Sequence, residues 1–196
     1  MRRVVIAGTL AIALVLSLHW DSALRAQTIG DKLHISALAV NMSNIGGVGA
    51  NTVLMDINRW STEAERKALM DVFLQKGPDK LLSALQKQQP VGFIRLPSTV
   101  GYDLRYAREV PLPEGGRRIL VATDRRIGFA EARNQPRSID YPFTLIEIRA
   151  DKDGNGEGKM SVATKITYDK DKQTIVLENY ASEPVRLQSV KVELKK

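Results

Sequence analysis

From Val91 to the C-terminus the chain is a series of short runs in which apolar and polar residues alternate, each closed by turn-forming residues. Alternation with a period of two puts one face of each run on a core and the other in water, which restricts this half of the chain to β-structure. The runs are Val91–Leu96, Gly101–Val110, Arg117–Thr123, Pro142–Ala150, Lys159–Tyr168, Gln173–Tyr180 and Val185–Leu194. Turn signals separate them at 113–116 (Pro-Glu-Gly-Gly), 153–156 (Asp-Gly-Asn-Gly), 169–172 (Asp-Lys-Asp-Lys) and 182–184 (Ser-Glu-Pro). In the last run the apolar phase slips from Val185 and Leu187 to Val190, Val192 and Leu194, so a bulge is expected near Ser189.

Two more alternating runs lie upstream, Leu33–Met42 and Thr52–Trp60, joined by the glycine-rich SNIGGVGAN, and read as a β-hairpin. The segment after them changes period. Thr62 and Glu65 have capping-box spacing, and Ala68, Leu69, Val72 and Phe73 form an apolar helical stripe that Gly77 ends. Pro78 opens a second helix with Leu81, Leu82 and Leu85 as its apolar side. Residues 124–141 form a long connection, with one helical turn expected at Phe129–Arg133. About nine strands on short turns predict a mainly β (α+β) chain. The expected form is a single antiparallel β-sandwich or partly closed barrel, with a two-helix segment at about 62–88 inserted after the second strand.

The N-terminus constrains where such a domain works. Arg2 and Arg3 precede an uncharged apolar run from Val4 to Leu18, and a short polar stretch ends in Ala-Leu-Arg-Ala at residue 26. That pattern is an export signal, and its apolar run is shorter than the ~20 residues a bilayer span needs. The expectation is therefore a removed segment 1–26 and a delivered domain 27–196, periplasmic or secreted, with no stable membrane span. The chain has no cysteine, so neither a disulfide nor a lipid-modified cysteine is available to it. Taking Arg2, Arg3, Arg25 and Asp21 from 29 basic and 22 acidic residues leaves 26 against 21, a charge of +5. So mild a surplus, with both signs interspersed, does not point to nucleic acid.

The delivered domain keeps one histidine, His34, which excludes zinc sites built from histidine and cysteine and leaves a Ser-His-Asp triad dependent on a strand residue. Gly46-Gly47-Val48-Gly49 has the composition of a phosphate-binding loop, but a strand follows it rather than a helix, so it reads as a hairpin turn. Asp151, Asp153, Asn155 and Glu157, with Gly156 at the sixth position, match the start of a calcium-binding loop. Val162 stands where that loop needs its bidentate glutamate, so a tight β-turn is the first reading and a weak calcium site the second. Among carboxylates, Asp56 shares a strand face with Leu54 and Trp60, where an apolar neighbour would suit a general acid; Glu131 is a second candidate.

The basic residues are also segregated. From Arg95 to Arg149 all are arginine, and the acidic residues among them offer cross-strand pairing as the ordinary explanation. The alternation at 102–108 puts Tyr102, Leu104 and Tyr106 on one strand face, beside Arg105, Arg108 and the Arg133 loop. Arginine forks and aromatic faces together suit an anionic or amphipathic ligand. Two stretches, RWSTEAER…GPDKLLSALQ…VGFIRLPSTVGYDLRYARE and ATDRRIGFAEARNQPRSIDYPFTLIEI…GEGKMSVATKI, resemble a group of uncharacterised exported bacterial proteins of similar size. That resemblance implies bacterial origin and carries no activity or site. The functional expectation is an exported, non-enzymatic protein that binds an anionic or amphipathic ligand, or an envelope protein, through Tyr102, Tyr106, Arg105, Arg108 and Arg133. A carboxylate-dependent hydrolase or lyase and a structural envelope component are the alternatives.

Overall fold

A computed structural model describes residues 31–42, 49–96, 100–125, 140–169, 171–172, 174–180 and 183–195. The expected export segment 1–26, most of the glycine-rich turn and the expected helical turn at Phe129–Arg133, with Glu131 and Arg133, lie outside these residues. Among the described residues ten strands form one antiparallel sheet: β1 (Leu33–Asn41), β2 (Gly49–Ile57), β3 (Gly92–Arg95), β4 (Tyr102–Leu104), β5 (Tyr106–Pro111), β6 (Arg117–Thr123), β7 (Phe143–Ala150), β8 (Asn155–Asp169), β9 (Thr174–Asn179) and β10 (Val185–Leu194). The order is β4-β3-β2-β1-β10-β8-β7-β6-β5, with β9 pairing the far end of β8.

The sheet curls into a nearly closed barrel because its two ends are one stretch of chain. β4 pairs with β3 and β5 pairs with β6, and only Arg105 lies between β4 and β5. The Arg105 N–H donates to the Ala122 carbonyl of β6 at 2.9 Å, and the Leu104 carbonyl accepts from Val91 at 2.8 Å. Closure removes the exposed edges that an open sheet must otherwise protect. The expectation of one unbroken strand across 101–110 is thus corrected: a backbone that serves two neighbours must turn, and it turns at Arg105.

Alternation fills the interior as expected. Leu33, Ile35, Val53, Met55, Ile57 and Ile94 come from one side of the barrel, and Ile119, Ile146, Ile148, Met160 and Leu187 from the other. Each such side chain contributes about 1.5–3 kcal/mol of transfer free energy. Trp60 joins this core past the end of β2, where Asn58 and Arg59 both donate to the Val91 carbonyl, and its indole N–H reaches Asp31 O at 3.2 Å. The expected bulge is present. β10 shifts register against both β1 and β8 across this point, and Ser189 takes φ 49°.

The helical insertion sits between β2 and β3. α1 (Glu63–Lys76) has the full capping box, with Glu65 N–H donating to Thr62 Oγ1 at 3.1 Å and Thr62 N–H to Glu65 Oε2 at 2.8 Å. Gly77, at φ 88°, turns the chain into a short 3₁₀ turn (Pro78–Lys80) and α2 (Leu81–Gln86). Arg59 fastens this unit at its base, donating to Glu65 at 3.0 Å and to the Gln89 carbonyl at 2.7 Å. The buried stripe of α1 is Leu69 and Phe73; Ala68, expected on it, is exposed because the helix rolls to cover the barrel's outer face.

Candidate functional site

The strand registers define what that outer face presents. Tyr106 lies opposite Ala122, Ala122 opposite Leu145, and Leu145 opposite Ser161, which makes one transverse row across β5, β6, β7 and β8. One side-chain repeat further along the strands, Arg108, Leu120, Glu147, Lys159 and Arg186 form the next row, now reaching β10. A third row holds Val110, Arg118, Arg149 and Glu157. The surface therefore changes from apolar to charged within roughly 7 Å along the strands.

The helices roof the apolar row. Leu69, Phe73, Leu81 and Leu85 face Tyr106, Leu145, Phe143 and Ile166 across a groove of about 240 Å³. Leu69, Leu85 and Phe143 form its buried base, separate from the barrel core. Phe73 meets the edge of Tyr168 with ring centroids 5.9 Å apart, so the projecting β8–β9 hairpin forms the far wall. Ile175 and Leu177 of that hairpin line the groove and are 48% and 54% exposed, an apolar lip at its open side. Tyr141 donates to Glu178 and packs on Tyr180, which fixes the root of β7 to β9.

Glu63 stands at the mouth and binds Arg66 Nε at 2.7 Å and Arg108 Nη2 at 3.8 Å. The hydrogen bond from Arg66 is the main reason its carboxyl titrates below the usual range. Burial raises the Tyr106 phenol, and the Arg108 and Arg66 charges only partly offset it, so the hydroxyl is neutral near pH 7. Beside the groove, on β7, β8 and β10, lies an open polar cleft of about 560 Å³ lined by Glu147, Arg149, Glu157, Lys159, Arg186 and Gln188. Glu147 is taken by Arg118 at 2.9 Å and Arg149 at 3.3 Å.

Several sequence-derived residues stand elsewhere than expected. The turn at Arg105 reverses the side-chain phase, so Tyr102 packs against the barrel core while Tyr106 faces the groove. The two tyrosines do not share a face. Arg105 is not free for a ligand, since it donates to the Gln88 carbonyl at 3.0 Å and pairs with Asp103 at 3.1 Å and Asp124 at 3.7 Å. Arg108 does reach the groove mouth. Among the described residues Arg117 pairs with Glu109 of β5 at 3.2 Å and Arg118 with Glu147 of β7 at 2.9 Å, so cross-strand pairing takes up part of that arginine-rich stretch.

The 151–157 loop is a turn. Asp151 Oδ1 accepts the N–H groups of Asp153 and Asn155, both at 2.9 Å, and Gly154 takes φ 81°. Asn155 and Glu157 continue into β8, with Glu157 opposite Arg149, so Asp151, Asp153, Asn155 and Glu157 do not converge on one point. Among the described residues no group of three or more histidine, cysteine or acidic side chains is placed to hold a metal. Asp56 lacks the apolar setting expected for it beside Trp60, because Trp60 turns into the core after β2. It bonds His34 Nδ1 at 2.7 Å and Lys195 Nζ at 3.0 Å. Burial pushes its pKa up, but these two partners together outweigh that and hold the carboxyl below its ordinary value.

Lys159, Arg186 and Arg66 were not singled out by sequence reasoning. Nothing local marks them, because β-pairing and helix docking bring them to this face. Compared with family models, curated proteins and solved structures, the chain gives no match.

Proposed function

We propose that the protein is an exported, non-enzymatic binding protein for an amphipathic anion, with the apolar part in the groove under α1 and α2 and the anionic group on the adjoining charged rows. The observation that carries this reading is the step from the Tyr106–Ala122–Leu145 row to the Arg108–Lys159–Arg186 row. An apolar recess bordered by a few polar groups is the usual form of a small-molecule site. The exposed lip of β9 supports it, since it leaves the groove open to an entering chain.

Native mass spectrometry on the protein purified from its own host, with its export segment processed, is the test. A co-purifying amphiphile that is displaced by dodecyl phosphate is the expected result. A clean apo mass, with no rise in Tm on adding dodecyl phosphate below its micelle concentration, counts against the proposal.

A further inference from the structure

Two sets of cations border the groove, and they are not equivalent. Arg66 and Arg108 at the mouth already share Glu63. Lys159 and Arg186 lie directly opposite each other across β8 and β10, a like-charge pair that costs stability unless an anion bridges it. The first such pair on this face, Arg118 opposite Arg149, has its bridge in Glu147. The second has none of that quality: Arg186 meets Glu183 only at 4.0 Å, and among the described residues no carboxylate lies within ion-pair reach of Lys159. Glu147 stands directly opposite Lys159 on β7, but its carboxylate is held by Arg118 and Arg149, and Glu157 stands one row away opposite Arg149.

From this geometry we infer that the cleft between Lys159 and Arg186 is a phosphate-group site, and that it receives the head of the amphiphile whose tail fills the groove. The inference rests on the binding reading above for the tail and on the cleft alone for the head. An ammonium, a guanidinium fork and the Gln188 amide offer more N–H donors than a carboxylate's oxygens take up and match a phosphate better. The bulge at Ser189 helps shape the site, because β8–β10 pairing skips between Leu187 and Val190 and leaves Gln188 outside the ladder to β8. Lys159 is one row and one strand from Leu145, a span of roughly 10 Å that a short alkyl chain bridges.

The test is calorimetry on the full chain with dodecyl phosphate, laurate and uncharged dodecyl maltoside, all below their micelle concentrations. NMR titration with inorganic pyrophosphate accompanies it. Lys159→Gln and Arg186→Gln are each expected to weaken dodecyl phosphate about tenfold. Neither variant should change dodecyl maltoside, and laurate should bind more weakly than the phosphate. Pyrophosphate should shift the amide signals of Lys159, Arg186 and Gln188, and that shift should vanish in Lys159→Gln. If no dodecyl compound binds but these shifts persist, the head site stands as a site for free phosphate and the groove reading falls. If both variants bind dodecyl phosphate like the parent while Arg108→Gln does not, the head lies at the mouth and the inference is overturned. Absence of any pyrophosphate shift at these residues overturns it as well.

Discussion

Ser189 shows how much one backbone angle constrains a residue. At φ 49° it occupies a region that costs a side-chain-bearing residue roughly 1–2 kcal/mol. Glycine escapes that cost but gives back about 0.5–1 kcal/mol in unfolded-chain entropy. Ser189→Gly should therefore leave stability unchanged or raise it by up to about 1.5 kcal/mol, whereas Ser189→Val, branched at Cβ, should lose about 1–3 kcal/mol. Urea unfolding of both variants checks the pair. Asp56 makes a pH prediction of definite sign. Its folded pKa lies below 3.8, so the stability it contributes is fully present above the unfolded value and is lost as pH falls through the folded one. Asp56→Asn should thus be less stable than the parent at pH 7, and the gap should close progressively below about pH 4. A gap of constant size from pH 7 to pH 2 would show that the ion pair with Lys195 and the His34 bond contribute nothing.

The helical insertion and the β4–β5 turn are the elements that turn a closed barrel into one with a site outside it. The capping box was legible because its two reciprocal bonds, from Thr62 N–H to the Glu65 carboxylate and from Glu65 N–H to the Thr62 hydroxyl, join residues only three apart. Thr62→Ala should cost about 1 kcal/mol, with faster amide exchange in the first turn of α1 than in β7. The turn at Arg105 was not legible. Alternation at 102–108 fits one strand as well as two, and only pairing with both β3 and β6 forces the break. Arg105 then spends its side chain on Gln88, Asp103 and Asp124. With its side chain only 20% exposed, Arg105→Ala should destabilise by about 2–4 kcal/mol. It should leave pyrophosphate binding at the cleft intact in whatever fraction folds, the opposite profile to Lys159→Gln.

At the scale of the molecule, the barrel interior is packed with side chains, and the apolar recess lies between the barrel wall and the inserted helices. Binding and core stability are therefore separable. Leu145→Ser removes apolar surface from the groove floor without adding a charge near Lys159 and leaves the barrel core untouched. It should weaken dodecyl maltoside at least about tenfold, the scale set by losing a buried Leu side chain, without changing the pyrophosphate shifts at Lys159 and Arg186. Ile146→Ala, one residue on and facing inward at 2% exposure, should instead cost about 2–5 kcal/mol of stability. Denaturant midpoints and calorimetry on the two variants separate the effects.

What the amino-acid order determined by itself is local: alternation set the strands and their inward faces, glycine, proline and Asp set the turns, Thr62 with Glu65 set the helix start, and the phase slip marked the bulge at Ser189. These follow from interactions within a few residues of each other. Tertiary structure decided which strands became neighbours, and with that every feature of the proposed site. Closure through Arg105 sent Tyr102 and Tyr106 to different faces, the Asp151 turn drew its carboxylate onto the backbone, and β8–β10 pairing set Lys159 against Arg186. Charge and shape at a site depend on cross-strand register, and register is a property of the closed sheet rather than of any one run of residues.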